Sequence, residues 1–409
     1  MEKIILYGAG IIGKNLAIEL TLHGIPIECF CDKDQEKLGK DYCGYPVKSI
    51  EEVRQYDGEY SIFVAVSKKF RDNVKKELID KEIFLVENFY DEEKDSLQIM
   101  QLFRSISLDT DIMNKISSEI EENFRCINEE DEKKLKEGVL KYICNDIGGY
   151  SEKAFFNHMY ARLEDDRKRI IPWLENIHKL KGSSILEIGC GTGASTITLC
   201  EQNADVTAID VDDNALEVAN IRMHAYGLTA DIRHLNATDI LKEFPCKNFD
   251  FIIFYASLEH MTFDERIESL RAAFQMLKPD GNVVLVEIPN RLWYIDSHTS
   301  LEPFYNWLPD NVAMEYSRYT SREIFNNGFD SSNEKDVLNF SRWGRGVSYH
   351  EIEIALGGKN SFRVVSSLGT FLKVPESAFK KFLRMAGPSR IHEGFYDPYL
   401  YIAMRRCSC

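Results

Sequence analysis

His260, His298 and His350 are the side chains in this sequence best suited to accept a proton near neutrality, because an imidazole changes charge in that range. His260 follows the apolar run "FDFIIFY" at 249–255 by five residues, His298 lies in "YIDSH", and His350 lies in "RWGRGVSYHE" with Arg345 and Glu351. Each is a candidate general base for an acceptor hydroxyl, and each has the plainer alternative of a structural histidine held by hydrogen bonds. His260 comes first because it stands just past a strand end. Spacing against Asp296 or Glu351 matches no metal-ligand pattern. The ten cysteines, at 29, 31, 43, 126, 144, 190, 200, 246, 407 and 409, contain no C-x-x-C pair. No metal is therefore expected, and the thiols read as reduced and mostly buried.

Two glycine-rich turns carry the other chemistry. "ILYGAGIIG" places Gly8, Gly10 and Gly13 after an apolar strand, with Asp32 at the end of the next strand. "ILEIGCGTG" places Gly189, Gly191 and Gly193 after a second strand, with Glu187 just before the turn and Asp210 closing the strand that follows. Glycines there let backbone approach a ligand where side chains would block it. Asp210 can accept from both ribose hydroxyls, and "HLNATDI" offers Asn236, Ala237 and Asp239 near an adenine edge. Tyr255 to His260 lie at the mouth.

Hydrophobic periodicity supplies the elements that hold these residues. Strands are expected at 3–7, 27–31, 61–66 and 83–86, with helices near 11–23, 49–55 and 70–80. Residues 91–150 lose the strand signal and read as a helical connector. The amphipathic segment ending in "PWLENIHKL" leads into strands at 184–188, 205–209, 230–234, 250–254 and 282–288. Helices are expected at 194–202, 213–226 and 264–277, and late strands at 362–367 and 399–404. The fold class is α/β: two Rossmann-like parallel-sheet domains, 1–90 and 151–409, joined by a helical connector. An aromatic-rich cap insertion, about 289–360, brings Arg291, Trp293, Tyr294, Asp296, Trp307 and Arg345 into a stretch that reads as cap rather than core.

The second set of motifs resembles class I S-adenosylmethionine-dependent methyltransferases, over roughly 180–290, with "LKPDGNVVLVE" at 277–287 matching the turn and fifth strand of that family. The resemblance implies S-adenosyl-L-methionine as cofactor. It places Glu187, Gly189, Gly191 and Gly193 along the methionine and ribose side, Asp210 on the ribose, and Asn236 where the family more often has Asp. The first set, with Gly39, Gly44, Pro46 and Val47, resembles the N-terminal domain of bacterial sugar acyltransferases. That likeness implies a second nucleotide or sugar-nucleotide site at Gly8, Gly10, Gly13 and Asp32; a degenerate domain kept for docking or dimerisation is the alternative. Together the two imply methyl transfer to a small molecule such as a sugar, nucleotide-linked sugar or glycan precursor. A non-catalytic S-adenosylmethionine-binding sensor and an NAD-dependent oxidoreductase are the other readings carried.

The formal net charge of −16 argues against a surface that clamps nucleic-acid backbone. No apolar stretch reaches membrane-spanning length, and the first strand begins at residue 3, so a cytoplasmic protein without membrane partners is expected. The acceptor atom and the oligomeric state, including a homo-oligomer, stay open.

Overall fold

The computed structural model describes residues 3–22, 27–55, 60–66, 70, 73, 74, 76–78, 119–145, 151–245, 248–296, 298–322, 324–326, 328–358, 360–372, 385 and 393–407. The expected strand at 83–86 and the first part of the connector, 91–118, lie outside the described residues. The chain divides into two compact units, one dominated by residues 1–109 and the other by 110–150, 154–372 and 382–409.

In the first unit, β1 (Lys3–Tyr7), β2 (Ile27–Cys31), β3 (Asp41–Tyr42), β4 (Tyr45–Lys48) and β5 (Tyr60–Val64) form a sheet of order β3-β4-β2-β1-β5. The pairings β1 with β2, β1 with β5 and β2 with β4 are parallel. Ile4, Leu6 and Phe30 on one face and Ile5, Cys29 and Cys31 on the other are fully buried, so both faces are covered. The β3–β4 hairpin was not among the expected strands: its strands are two and four residues long, too short to show a period.

The second unit is built on a seven-stranded sheet of order β11-β12-β10-β9-β6-β7-β8. Its strands are β6 (Ser184–Ile188), β7 (Asp205–Asp210), β8 (Asp231–His234), β9 (Phe249–Tyr255), β10 (Leu277–Pro289), β11 (Phe362–Ser367) and β12 (Tyr399–Arg406). Strands β6 to β10 are parallel, while β12 runs antiparallel to β10 and β11 antiparallel to β12. Chain order steps outward from β6 through β7 to β8, then returns to β9 on the other side of β6. This reversal opens a crevice at the carboxyl ends of β6 and β9, where doubly wound sheets bind ligands. The core behind it is apolar, with Leu186, Ile252, Phe254 and Leu285 buried against Leu258 and Leu270.

Helices 194–201, 213–225 and 263–275 fall within a residue or two of the expected spans. Strand β10 begins at Leu277, five residues before the expected start, because "LKPDG" pairs back onto Phe249 before the ladder resumes at Asn282. The insertion after β10 forms a small core of its own around Tyr305, Met314, Phe325 and Phe340. The aromatic stretch is thus core as well as cap, and Trp293 in particular is buried.

Candidate active site

A cavity of about 840 Å3 occupies the crevice. Its floor is the turn after β6. Gly189 has φ +85°, and a Cβ there would stand 2.6 Å from the Ser257 Cβ and 2.7 Å from the Tyr255 carbonyl oxygen. Gly191 has φ +50° and no neighbour within 4 Å of such a Cβ. Packing therefore demands glycine at 189, whereas at 191 the missing side chain leaves open space for a ligand.

Asp210 closes β7 opposite that turn. Its Oδ2 accepts the Gly191 N–H at 2.8 Å, and its Oδ1 accepts the N–H groups of Val211 at 2.7 Å and Asp212 at 3.0 Å. An ionised carboxylate has about four acceptor positions, so three backbone donors orient Asp210 and leave one position on Oδ2. Asn236 and Ala237 follow β8 at the same rim. The Asn236 Oδ1 accepts from the Thr238 N–H and hydroxyl, both at 3.1 Å, which leaves its amide N–H2 as the group for a ligand.

Glu187 is fully buried and lies outside the cavity lining. It braces the helix that follows the turn by accepting from the Ser195 and Thr196 hydroxyls. Burial pushes its carboxyl up to about 7, with the two hydroxyls opposing. Gly193 caps the same helix in a left-handed conformation.

The opposite wall comes from a helical run ending at Ile177, which includes π-helical turns at Asn157–Ala161 and Asp166–Ile170. His158, Arg162 and Asp166 project from it into the cavity lining. The sequence reading passed over all three; His158 and Asp166 lie in π turns, which shift a side chain off the face that a 3.6-residue period assigns, and Arg162 opens the α-helical turn between them. Asp166 accepts from the Tyr255 hydroxyl, and burial holds its carboxyl well above the usual range, reinforced by Glu287 and Asp165. Burial takes His158 down to about 3. Arg222, itself buried, ties the wall to the floor by donating to the carbonyls of Thr192 at 2.8 Å and His158 at 2.5 Å.

Two of the three candidate bases meet at the mouth. His260 and His298 have ring centroids 5.2 Å apart, and both line the cavity. His260 is half-exposed, and its packed surroundings hold it below the usual imidazole value. His298 is taken down to about 4 by burial, with His260 adding to the shift. The loop carrying His298 is fixed by Asp296, whose carboxylate accepts the N–H groups of His298 at 3.1 Å, Thr299 at 2.9 Å and Ser300 at 2.5 Å.

His350 lies elsewhere. With Arg291, Arg345 and Trp307 it lines a second cavity of about 800 Å3. Arg345 donates to Asp310 at 2.6 Å and to the Leu308 carbonyl at 2.7 Å, and Arg291 donates to Asp310 at 2.9 Å. Tyr294 stacks obliquely on Trp293 and Phe304. Arg291, Trp293, Tyr294, Trp307 and Arg345 line no part of the first cavity.

In the first unit, Gly8 and Gly13 answer to packing. A Cβ at Gly8 would stand 2.6 Å from the Ala65 carbonyl oxygen and one at Gly13 1.9 Å from the Gly8 carbonyl oxygen, while Gly10 faces open space. Asp32 accepts from the Ala9 N–H at 2.8 Å and from the Lys37 ammonium at 3.1 Å.

A doubly wound sheet with a glycine turn at its switch point, an acidic residue closing the next strand and two imidazoles at the mouth is an α/β arrangement of the kind that binds ligands at the carboxyl ends of its strands. Residues 185–281 match the family model described as a methyltransferase domain. Residues 1–85 match the model described as C2185-like, N-terminal, rather than the sugar acyltransferases that the sequence resembles. The ubiquinone biosynthesis O-methyltransferase of Pseudomonas syringae pv. tomato is 29% identical over 151 residues, 37% of this chain and 64% of that protein. The enzyme of the same name from Pseudomonas fluorescens is 30% identical over 124 residues, 30% of this chain and 52% of that protein. The chain thus spans between half and two thirds of the length of these curated relatives. A solved S-adenosylmethionine-dependent methyltransferase from Clostridium acetobutylicum aligns at 21% identity and a TM-score of 0.28, over 32% of this chain and 51% of that one. The chain carries a methyltransferase domain, of the class whose cofactor is S-adenosylmethionine. No helix among the described residues is long and apolar enough to cross a membrane.

Proposed function

We propose that this protein methylates an oxygen of a small-molecule acceptor. The observation that carries the reading is the oriented Asp210 carboxylate beside the open Gly191 turn. The residues fit S-adenosylmethionine: one Oδ2 position on Asp210 accepts from a ribose hydroxyl, the Asn236 amide donates to an adenine ring nitrogen, and Gly189 and Gly191 give room along the chain of the cofactor. When bound, that cofactor supplies an electrophilic sulfonium methyl. The protein's own task is alignment, because an in-line displacement depends mainly on the position of the nucleophile.

His260 at the mouth is the group that takes the acceptor's proton. Its Nδ1 is engaged with the Arg342 backbone carbonyl at 2.8 Å, so that nitrogen carries the hydrogen and Nε2 keeps its lone pair. A sugar or glycan-precursor acceptor is the narrower form of the proposal. Exposed aromatic side chains in the cap support it, with Phe304 and Trp307 packed edge to face, their ring centroids 4.9 Å apart. In the first unit, the open Gly10 supports a nucleotide-linked ligand as a separate reading.

The test is calorimetric titration of the intact protein with S-adenosylmethionine and S-adenosylhomocysteine, followed by mass-spectrometric detection of methylated product from a panel of hydroxyl-bearing acceptors that includes sugar nucleotides. Saturable binding with product formation is the expected result. Absence of binding refutes the cofactor assignment, and binding without any methylated product across the panel favours the sensor reading instead.

A further inference from the structure

The carboxylate of Glu259 is buried, 1% exposed, and neither of its oxygens reaches a hydrogen-bond partner. Leaving a carboxylate without a partner is among the costliest arrangements in a protein interior. Its neighbours are two imidazoles. One ligating atom each from Glu259, His260 and His298 lies within 4.8 Å of the others, and His260 Nε2 stands 4.0 Å from Glu259 Oε1.

Both rings are set with a lone pair left over. His260 Nδ1 is engaged with the Arg342 carbonyl at 2.8 Å. The His298 Nδ1 is buried without a hydrogen-bond partner. A backbone carbonyl thus fixes the His260 imidazole, the way proteins orient ligating histidines, and Asp296 fixes the loop that carries His298. Gly344 follows with φ +81°, and a Cβ there would stand 2.9 Å from His298 Cε1 and 3.1 Å from His260 Cε1. The chain needs glycine at that point to let both rings in.

The geometry points to a divalent metal site formed by Glu259, His260 and His298 at the mouth of the cofactor cavity. Two imidazole nitrogens and one carboxylate oxygen suit a borderline ion such as zinc better than magnesium, which favours oxygen ligands. Ligands about 2.1 Å from one tetrahedral ion lie about 3.5 Å apart, so the rings close slightly on the ion. Three protein ligands leave a position open for an exogenous oxygen. His260 and His298 also line the cavity, so that position is accessible from it. The ion's use there, holding an acceptor oxygen, rests on the methyl-transfer reading; the ion's binding does not. With metal bound, His260 serves as a ligand and no longer as the free base.

The test takes the full-length protein stripped with chelator and desalted. Cobalt(II) is titrated in and followed by visible absorption, and zinc(II) binding is measured by competition with a chromogenic chelator. S-adenosylhomocysteine binding is measured in parallel. Stoichiometric binding is expected in the parent protein, with affinity falling more than about 100-fold in Glu259→Gln and in His298→Ala, beyond the loss typical of a residue that only supports a ligand. Retained S-adenosylhomocysteine binding shows that each variant is folded. No saturable metal binding by the parent, or binding unchanged in both variants, overturns the site. Metal binding without S-adenosylhomocysteine binding refutes the methyl-transfer reading and leaves the metal site standing.

Discussion

Replacing Asp210 with Asn separates the two duties assigned to that side chain. The substitution keeps the shape but removes the charge and turns one acceptor oxygen into an N–H2 group that faces a backbone donor. Three backbone N–H groups, of Gly191, Val211 and Asp212, lie within 3.0 Å of the native carboxylate. Hydrogen bonds to an ionised acceptor contribute about 1.5–3 kcal/mol against about 0.5–1.5 for a neutral one. Weakening three coupled bonds of this kind costs about 2 kcal/mol of stability, which lowers the melting temperature by about 4–8 °C in a unit of this size. The ribose contact is lost on top of this. One charge-assisted bond is about 1.5–3 kcal/mol, or about 10- to 100-fold in the dissociation constant of S-adenosylhomocysteine. Calorimetric titration and thermal unfolding of the same sample read both quantities. If the melting temperature falls as expected while cofactor affinity stays within about threefold, Asp210 only braces the glycine turn and the assignment of the ribose to it is wrong.

Glu187→Gln tests the buried brace beneath the turn. The folded carboxyl sits at about 7 against an ordinary 4.5, so between those values the folded protein binds more protons than the unfolded chain and stability falls as pH rises. The expected loss across that window is about 3 kcal/mol, and the amide variant, whose oxygen can accept from one of the Ser195 and Thr196 hydroxyls while its N–H2 donates to the other, abolishes it; denaturant unfolding on either side of the window with unchanged slope in the variant would count against this. Arg222→Lys leaves the carbonyls of Thr192 and His158 short of donors in a buried place. A destabilisation of about 1–3 kcal/mol is expected, together with weaker cofactor binding because wall and floor come apart; unfolding and calorimetry that show no change in either would refute the tie.

Much of the second sheet was legible because its signals are local. The strands β6, β7 and β9 are short apolar runs bounded by glycine or acidic residues, and parallel strands covered on both faces require that composition. Glycines at 189, 191 and 193 read directly as a turn between strand and helix, although the sequence did not distinguish Gly189, which packing demands, from Gly191, which leaves space. Glu187 shows the limit of motif reading. Its place in the pattern suggested the ligand side, yet in the final residues of a strand adjacent side chains point to opposite faces, and this one turns beneath the floor.

What the sequence by itself determined is therefore the α/β pattern, the glycine turn and the carboxylate that closes the second strand, all of which depend on neighbours within one strand–turn–helix unit. Tertiary structure alone decided the rest of the site. His158 and Asp166 reach the cavity from π turns, and Arg162 from the α-helical turn between them. His298 joins Glu259 and His260 across 37 intervening positions because Asp296 fixes its loop and Gly344 gives the two rings room. His350 and Arg345, which the sequence set beside the others, are drawn to a second cavity by Asp310 and the small core of the insertion. Periodicity records which face of an element is buried; it carries no information about which distant loop arrives to meet that face.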